Sequence, residues 1–135
     1  MLRQGPIPAF VHGVVEYLAA VLFIAAPFLL SFDDGTAKAF SIVIGVVVLI
    51  VAASTAWTTG LISSIPVPAH VVLDYVVAGL LIAAPFLFGF SSDDDTATAF
   101  FIVLGVVHLL LTIATRFVVE ERPARSRPRP PDAAA

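Results

Sequence analysis

One pentapeptide inside a long apolar run, Ala25-Ala26-Pro27-Phe28-Leu29, returns unchanged as Ala83-Ala84-Pro85-Phe86-Leu87. Around each copy the same order recurs: a His, an acid and a Tyr upstream, then Pro-Phe, an Asp-rich turn and a second apolar run. His12–Phe32 aligns with His70–Phe90 at an offset of 58 residues (70 − 12), and Thr36–Trp57 with Thr96–Phe117 at an offset of 60 (96 − 36). About half of the paired positions are identical, more than two unrelated apolar helices share. The chain is one two-helix unit written twice, and its fold must be built from two copies of that unit.

The apolar runs are Ala9–Phe32, Thr36–Trp57, Ala69–Phe90 and Thr96–Phe117. A bilayer core about 30 Å thick is crossed by about 20 helical residues, so each run can span it. Hydrophobic residues make up 59% of the chain and charged residues only 13%. A soluble domain needs about a quarter charged residues to cover its surface, so lipid is the expected solvent. A secretory signal beginning at Arg3 is the rival reading of the first run. Glu16 inside the run, and its twin at Ala69–Phe90, argue against it.

The expected fold is an all-α membrane protein, four transmembrane helices arranged as two tandem two-helix repeats. Residues 1–8 form a short lead. Repeat 1 covers 9–57, with spans at about 9–32 and 36–57. Residues 58–68 are an uncharged linker rich in Gly, Ser and Pro. Repeat 2 covers 69–117, with spans at about 69–90 and 96–117. Residues 118–135 are a Pro/Arg/Ala tail with the composition of a disordered segment. Each repeat has an even number of spans, so the copies point the same way through the membrane.

The two-span unit with a Pro-aromatic pair near the end of its first helix resembles the SPW repeat family of small prokaryotic integral membrane proteins. The resemblance covers about residues 9–117. Ala26-Pro27-Phe28 and Ala84-Pro85-Phe86 stand where that family has Ser-Pro-Trp. It implies a four-span membrane protein, and it brings no activity or catalytic residue with it.

Basic residues flanking spans stay on the cytoplasmic side. Arg3 precedes the first span, and Arg116, Arg122, Arg125, Arg127 and Arg129 end or follow the fourth. Lys38, beside the first acidic turn, is the only other cation. Both termini and the linker are therefore expected in the cytoplasm of a plasma or inner membrane, with the Asp turns facing outward.

The sharpest constellation is His12 with Glu16, echoed by His70 with Asp74. A spacing of four puts each pair on one helix face. Intramembrane ionisable groups are costly and usually face protein or water, so the pairs are candidates for a polar site between the repeats. Their place in the first two helical turns also suits simple anchoring or packing, which comes first among the readings. His108, where the first repeat has Val48, is expected to bond a neighbouring helix and joins the candidate site as its fifth member.

Pro27 and Pro85 each remove a helical donor and are expected to kink their helices. Trp57 and Phe117 suit interface anchors. Gly79, Gly45 and Gly105 suit close helix contacts. Asp33-Asp34 and Asp93-Asp94-Asp95 suit helix capping better than calcium, which needs six to eight oxygens in a shaped loop. No His/acid spacing along one helix matches a metalloenzyme motif, and no nucleophile elbow, P-loop or dinucleotide fingerprint occurs. No catalytic residue, metal or cofactor is expected, and the chain is expected not to be an enzyme. Cysteine is absent. No basic patch with aromatics points to nucleic acid. The expected partners are the lipid bilayer and a homo-oligomer or another membrane protein. The leading expectation is a structural or accessory protein acting by helix–helix association. The alternative is a transport or proton-conducting component using the His/carboxylate pairs; the two differ in whether those pairs converge on a hydrated cavity or point to separate interfaces.

Overall fold

The computed structural model describes residues 5–117. The apolar runs form four helices: α1 (Ala9–Leu29), α2 (Gly35–Ser54), α3 (Val67–Leu87) and α4 (Asp95–Ala114). All four are long and apolar enough to cross a membrane. The chain is an all-α multi-pass membrane protein. α1 packs along α2 and α3 along α4, giving two hairpins. α1 and α3 have 21 residues each, α2 and α4 have 20 each, and their starts differ by the same 58 and 60 residues that relate the repeats.

The helices stop short of the apolar runs. α1 ends at Leu29, three residues before Phe32, because Leu30 closes on the Ala26 carbonyl and Ser31 turns left-handed, with φ of 52°. Gly89, with φ of 78°, makes the same turn after α3 without the strain a side chain adds there. The reversals return Phe32 and Phe90 into the protein, where both are buried. α2 and α4 likewise end three residues before Trp57 and Phe117, at the extended residues Thr55 and Thr115. α3 starts at Val67, two residues earlier than its apolar run, because Pro68 fits the first turn of a helix.

Two short pairings were not expected from sequence. β1 (Ile7–Pro8) pairs in parallel with β2 (Thr115–Arg116), and Ile65 bridges Thr55 in the same sense. Ile7 and Ile65 stand at equivalent positions, so the two pairings are copies of each other. The first brings both ends of the described chain to one face.

Neither proline ends its helix: both lie buried in the last turn. Pro27 cannot donate to the carbonyl of Phe23, four residues back. The hydroxyl of Ser41 donates to it instead, at 2.6 Å. In the second repeat Phe101 stands where Ser41 does.

The half of the bundle next to the Asp turns is filled by aromatic rings. Phe23 and Phe32 meet Phe100 at 5.3 and 5.5 Å between centroids, and Phe90 meets Phe101 at 5.5 Å. Gly45 and Gly105 let the hairpins close. A Cβ at Gly45 would come within 2.8 Å of the Ala20 carbonyl oxygen, and one at Gly105 within 2.7 Å of Ile82. Gly79 has open space around it and makes no such contact, contrary to its sequence reading. Only 28–39% of each span is buried, which leaves an apolar exterior that lipid can solvate and water cannot.

Asp34 caps α2 by accepting from the Ala37 N–H at 2.7 Å, and Asp94 caps α4 by accepting from the Ala97 N–H at 2.8 Å. The second oxygen of Asp94 accepts from the N–H groups of Asp33 and Asp34, tying the two turns together. The tail, residues 118–135, and Arg3 lie outside the described residues.

Candidate functional site

One face of α1 carries His12, Glu16, Ala20 and Phe23, and the matching face of α3 carries His70, Asp74, Ala78 and Leu81; all eight are buried. The two faces meet, so the four ionisable side chains form one cluster between the repeats. His12 Nε2 lies 3.5 Å from Glu16 and 3.3 Å from Asp74; His70 Nε2 lies 3.3 Å from Glu16 and 3.2 Å from Asp74. Histidine and carboxylate alternate around a ring. Each histidine touches its own helix's acid and the acid of the other repeat. Both histidines are 0% exposed and both acids 2%.

His108 Nε2 lies 3.7 Å from an Asp74 oxygen, beyond hydrogen-bond length but close enough to feel its charge. Because Val48 occupies the equivalent place beside Glu16, His108 breaks the two-fold symmetry of the centre. All five sequence candidates are thus brought together, with contacts across the repeats in addition to those within each.

The other ring nitrogens are held by two threonines that the sequence reading did not single out. His12 Nδ1 lies 2.8 Å from the Thr115 hydroxyl, and His70 Nδ1 lies 2.8 Å from the Thr55 hydroxyl. Each threonine already donates its proton to a carbonyl one turn back, of Leu111 at 2.6 Å and Val51 at 2.7 Å. The hydroxyl can then only accept, so each Nδ1 must donate. Both rings carry a proton on Nδ1 and turn Nε2 into the cluster. The signal was present in the sequence, since Thr55 and Thr115 are identical at the offset of 60. Threonines at helix ends are too common for that identity to mark a site.

Trp57 and Phe117 are not lipid-facing anchors. The Trp57 ring sits 4.2 Å from that of His70, and the Phe117 ring 5.2 Å from that of His12. Helices α2 and α4 end early so that these rings can fold over the cluster. Tyr17 donates to the Thr59 carbonyl at 2.9 Å, whereas its partner Tyr75 is 40% exposed.

Two small cavities flank the cluster and are related by the repeat. One, of about 40 Å³, lies against Glu16, Asp74 and His108 between α2 and α3; the other, of about 50 Å³, lies against Glu16 and His108 between α1 and α4. Either exceeds the roughly 10–15 Å³ that one water needs. The Nε2 atoms of His12, His70 and His108, Glu16 Oε2 and Asp74 Oδ2 are buried and make no hydrogen bond among the described residues. Towards the Asp turns the next buried side chains are Ala20, Phe23, Ala78 and Leu81. The site is therefore closed by apolar residues on that side.

The family model of the SPW repeat domain matches residues 10–115, almost the whole described chain. The chain belongs to the SPW repeat family. No curated protein and no solved structure matches it. In this SPW repeat protein the duplicated element is what builds the site, because each repeat supplies one ring histidine, one acid, one threonine and one aromatic ring to a shared centre, and the second repeat adds His108.

Proposed function

We propose that this protein is a transport component of the membrane whose working part is the buried His/carboxylate centre, where a cation is bound on its way across or into the bilayer. The observation that carries the reading is the convergence of His12, Glu16, His70 and Asp74 from two separate repeats on one buried ring. Had the pairs pointed to separate interfaces, anchoring would have explained them. Taking charged groups out of water costs several kcal/mol per ion, and well-packed apolar side chains give equal or better stability at such positions. A bundle that needed only to pack has no use for this cluster. The structural or accessory reading therefore stands second, since an apolar exterior is what lipid alone requires.

The reading is non-enzymatic: the groups gathered here bind and relay cations and include no activated nucleophile. The aromatic half of the bundle closes the site on the Asp side, so passage requires that half to open. Pro27 and Pro85, where the backbone ladder is already broken, are the places to hinge. We further propose that the membrane is a plasma or inner membrane, with both chain ends and the 58–68 segment in the cytoplasm. The partners are then lipid and either a second copy or another membrane protein, and not nucleic acid.

Reconstitution in liposomes tests the function. Vesicles holding an internal pH dye or a divalent-cation indicator are given an outside pulse of protons or of Zn2+. Wild type should pass at least one of the two, and the Glu16→Gln/Asp74→Asn double variant, inserted at equal density, should pass neither. Wild-type vesicles tight to both cations would return the protein to the accessory reading.

A further inference from the structure

Resting on the transport reading, the geometry points to the class of cation: we propose that the centre binds one divalent first-row transition-metal ion. The donors are His12 Nε2, His70 Nε2 and an oxygen each from Glu16 and Asp74. These four atoms lie within 4.8 Å of one another, and all four residues are buried. In a tetrahedral zinc shell, with bonds of about 2.0–2.1 Å, donor atoms stand roughly 3.3 Å apart. The four histidine–carboxylate contacts are 3.2–3.5 Å, with one Glu16 oxygen reaching both histidines and each Asp74 oxygen reaching one. The longest separation, up to 4.8 Å, must shorten as the four donors close on a tetrahedral ion.

The hydrogen-bond network prepares the histidines for this. Metal-bound imidazoles nearly always donate their other ring N–H to an outer partner, which fixes the tautomer. Thr115 and Thr55 fix it here, and leave both Nε2 lone pairs aimed inward. Where the rings are neutral, their lone pairs face carboxylate oxygens, acceptor against acceptor, and a cation seated in the ring relieves that opposition as a proton on each Nε2 would. One divalent ion with two neutral imidazoles balances the two carboxylates, so the loaded centre carries no net charge into the bilayer. The donor set selects the metal class. Imidazole and carboxylate together suit zinc, copper, iron and nickel, while calcium and magnesium require shells made of oxygen. The flanking cavities leave room for a bound water. His108 lies next to Asp74, outside the ring, and lines both cavities.

The full-length protein in mild detergent, stripped of metal and dialysed against Zn2+ or Co2+, provides the test. One ion per chain is expected, with visible Co2+ absorption of nitrogen/oxygen coordination. Glu16→Gln/Asp74→Asn should abolish binding. Thr55→Val/Thr115→Val, which keeps every ligand, should weaken it about 10–100-fold, the usual effect of losing an outer partner. His108→Val, which copies Val48, should keep one ion per chain. If the carboxylate variant fails to fold, the threonine variant still decides. Wild type that retains no Zn2+ or Co2+, or a threonine variant that binds as tightly as wild type, overturns the metal site. No binding with a proton flux intact overturns the metal and leaves the transport reading standing. Binding without any flux keeps the metal site and removes that reading.

Discussion

At the scale of single residues, Asp94 is the most heavily used carboxylate outside the helices. Burial pushes its carboxyl up, but the N–H groups of Ala97, Asp34 and Asp33, with Lys38 nearby, outweigh burial and hold it below the usual carboxylate range. Such a group contributes stability above its unfolded value, near pH 4, and that contribution is lost as pH falls through the lower folded value. An amide has one acceptor oxygen and would turn an NH2 towards donors. Asp94→Asn should therefore cost about 1–2 kcal/mol near pH 7, and Asp34→Asn less, because Asp34 accepts one N–H and asparagine also caps. The Asp94→Asn deficit should shrink as the sample is acidified below about pH 4, where wild type loses the same contribution. Thermal melts in detergent at neutral and acid pH measure both, and a pH-independent deficit would refute the charge argument. His12, Glu16, His70, Asp74 and His108 could be named from sequence because charge in an apolar run stands out. Their crossed pairing could not, because a four-residue spacing describes one helix and the ring is made by two. Thr55, Thr115, Trp57 and Phe117 were hidden for another reason: their role depends on where the helices end.

At the scale of helices, apolar runs locate spans but not their ends. Phe32, Phe90, Trp57 and Phe117 continue the hydrophobic pattern beyond the last helical turn, and the backbone turns so that the three phenylalanine rings are buried and Trp57 is half-buried. Periodicity reports burial, and both a helix and a returning turn satisfy it. The glycines divide on the same principle. At Gly45 and Gly105 a neighbouring backbone or side chain occupies the space a methyl group would need, whereas at Gly79 nothing stands within 4 Å. Gly45→Ala and Gly105→Ala should each cost about 1–3 kcal/mol by overpacking. Gly79→Ala should be neutral or should stabilise by up to about 1 kcal/mol, through a less flexible unfolded chain. Melting temperatures of the three variants in one detergent compare them directly, and an equal loss at Gly79 would show that a close contact exists there.

At the scale of the whole molecule, the duplication is what the sequence states most clearly, and it accounts for most of the architecture. Two hairpins of one design, related by offsets of 58 and 60 residues, put equivalent groups on opposite sides of a shared centre, and each repeat completes the other's site. The same even number of spans constrains topology. β1 with β2 holds both ends of the described chain on one face, and the 58–68 segment leaves the bundle at that face too. Arg116 in β2 lies at that face, while Asp33, Asp34, Asp93 and Asp94 lie at the other. The orientation proposed above, with flanking basic residues kept in the cytoplasm, puts the Arg116 face inside. The chain has no cysteine, so single introduced thiols can be read without background. Gly35→Cys and Asp93→Cys, both exposed at the turns, should react with an impermeant thiol reagent in intact cells. Ser63→Cys, exposed in the segment between the repeats, should react only after the membrane is opened. The reverse pattern would place the metal-binding end of the bundle outside the cell, and with it the direction from which a cation reaches His12 and His70.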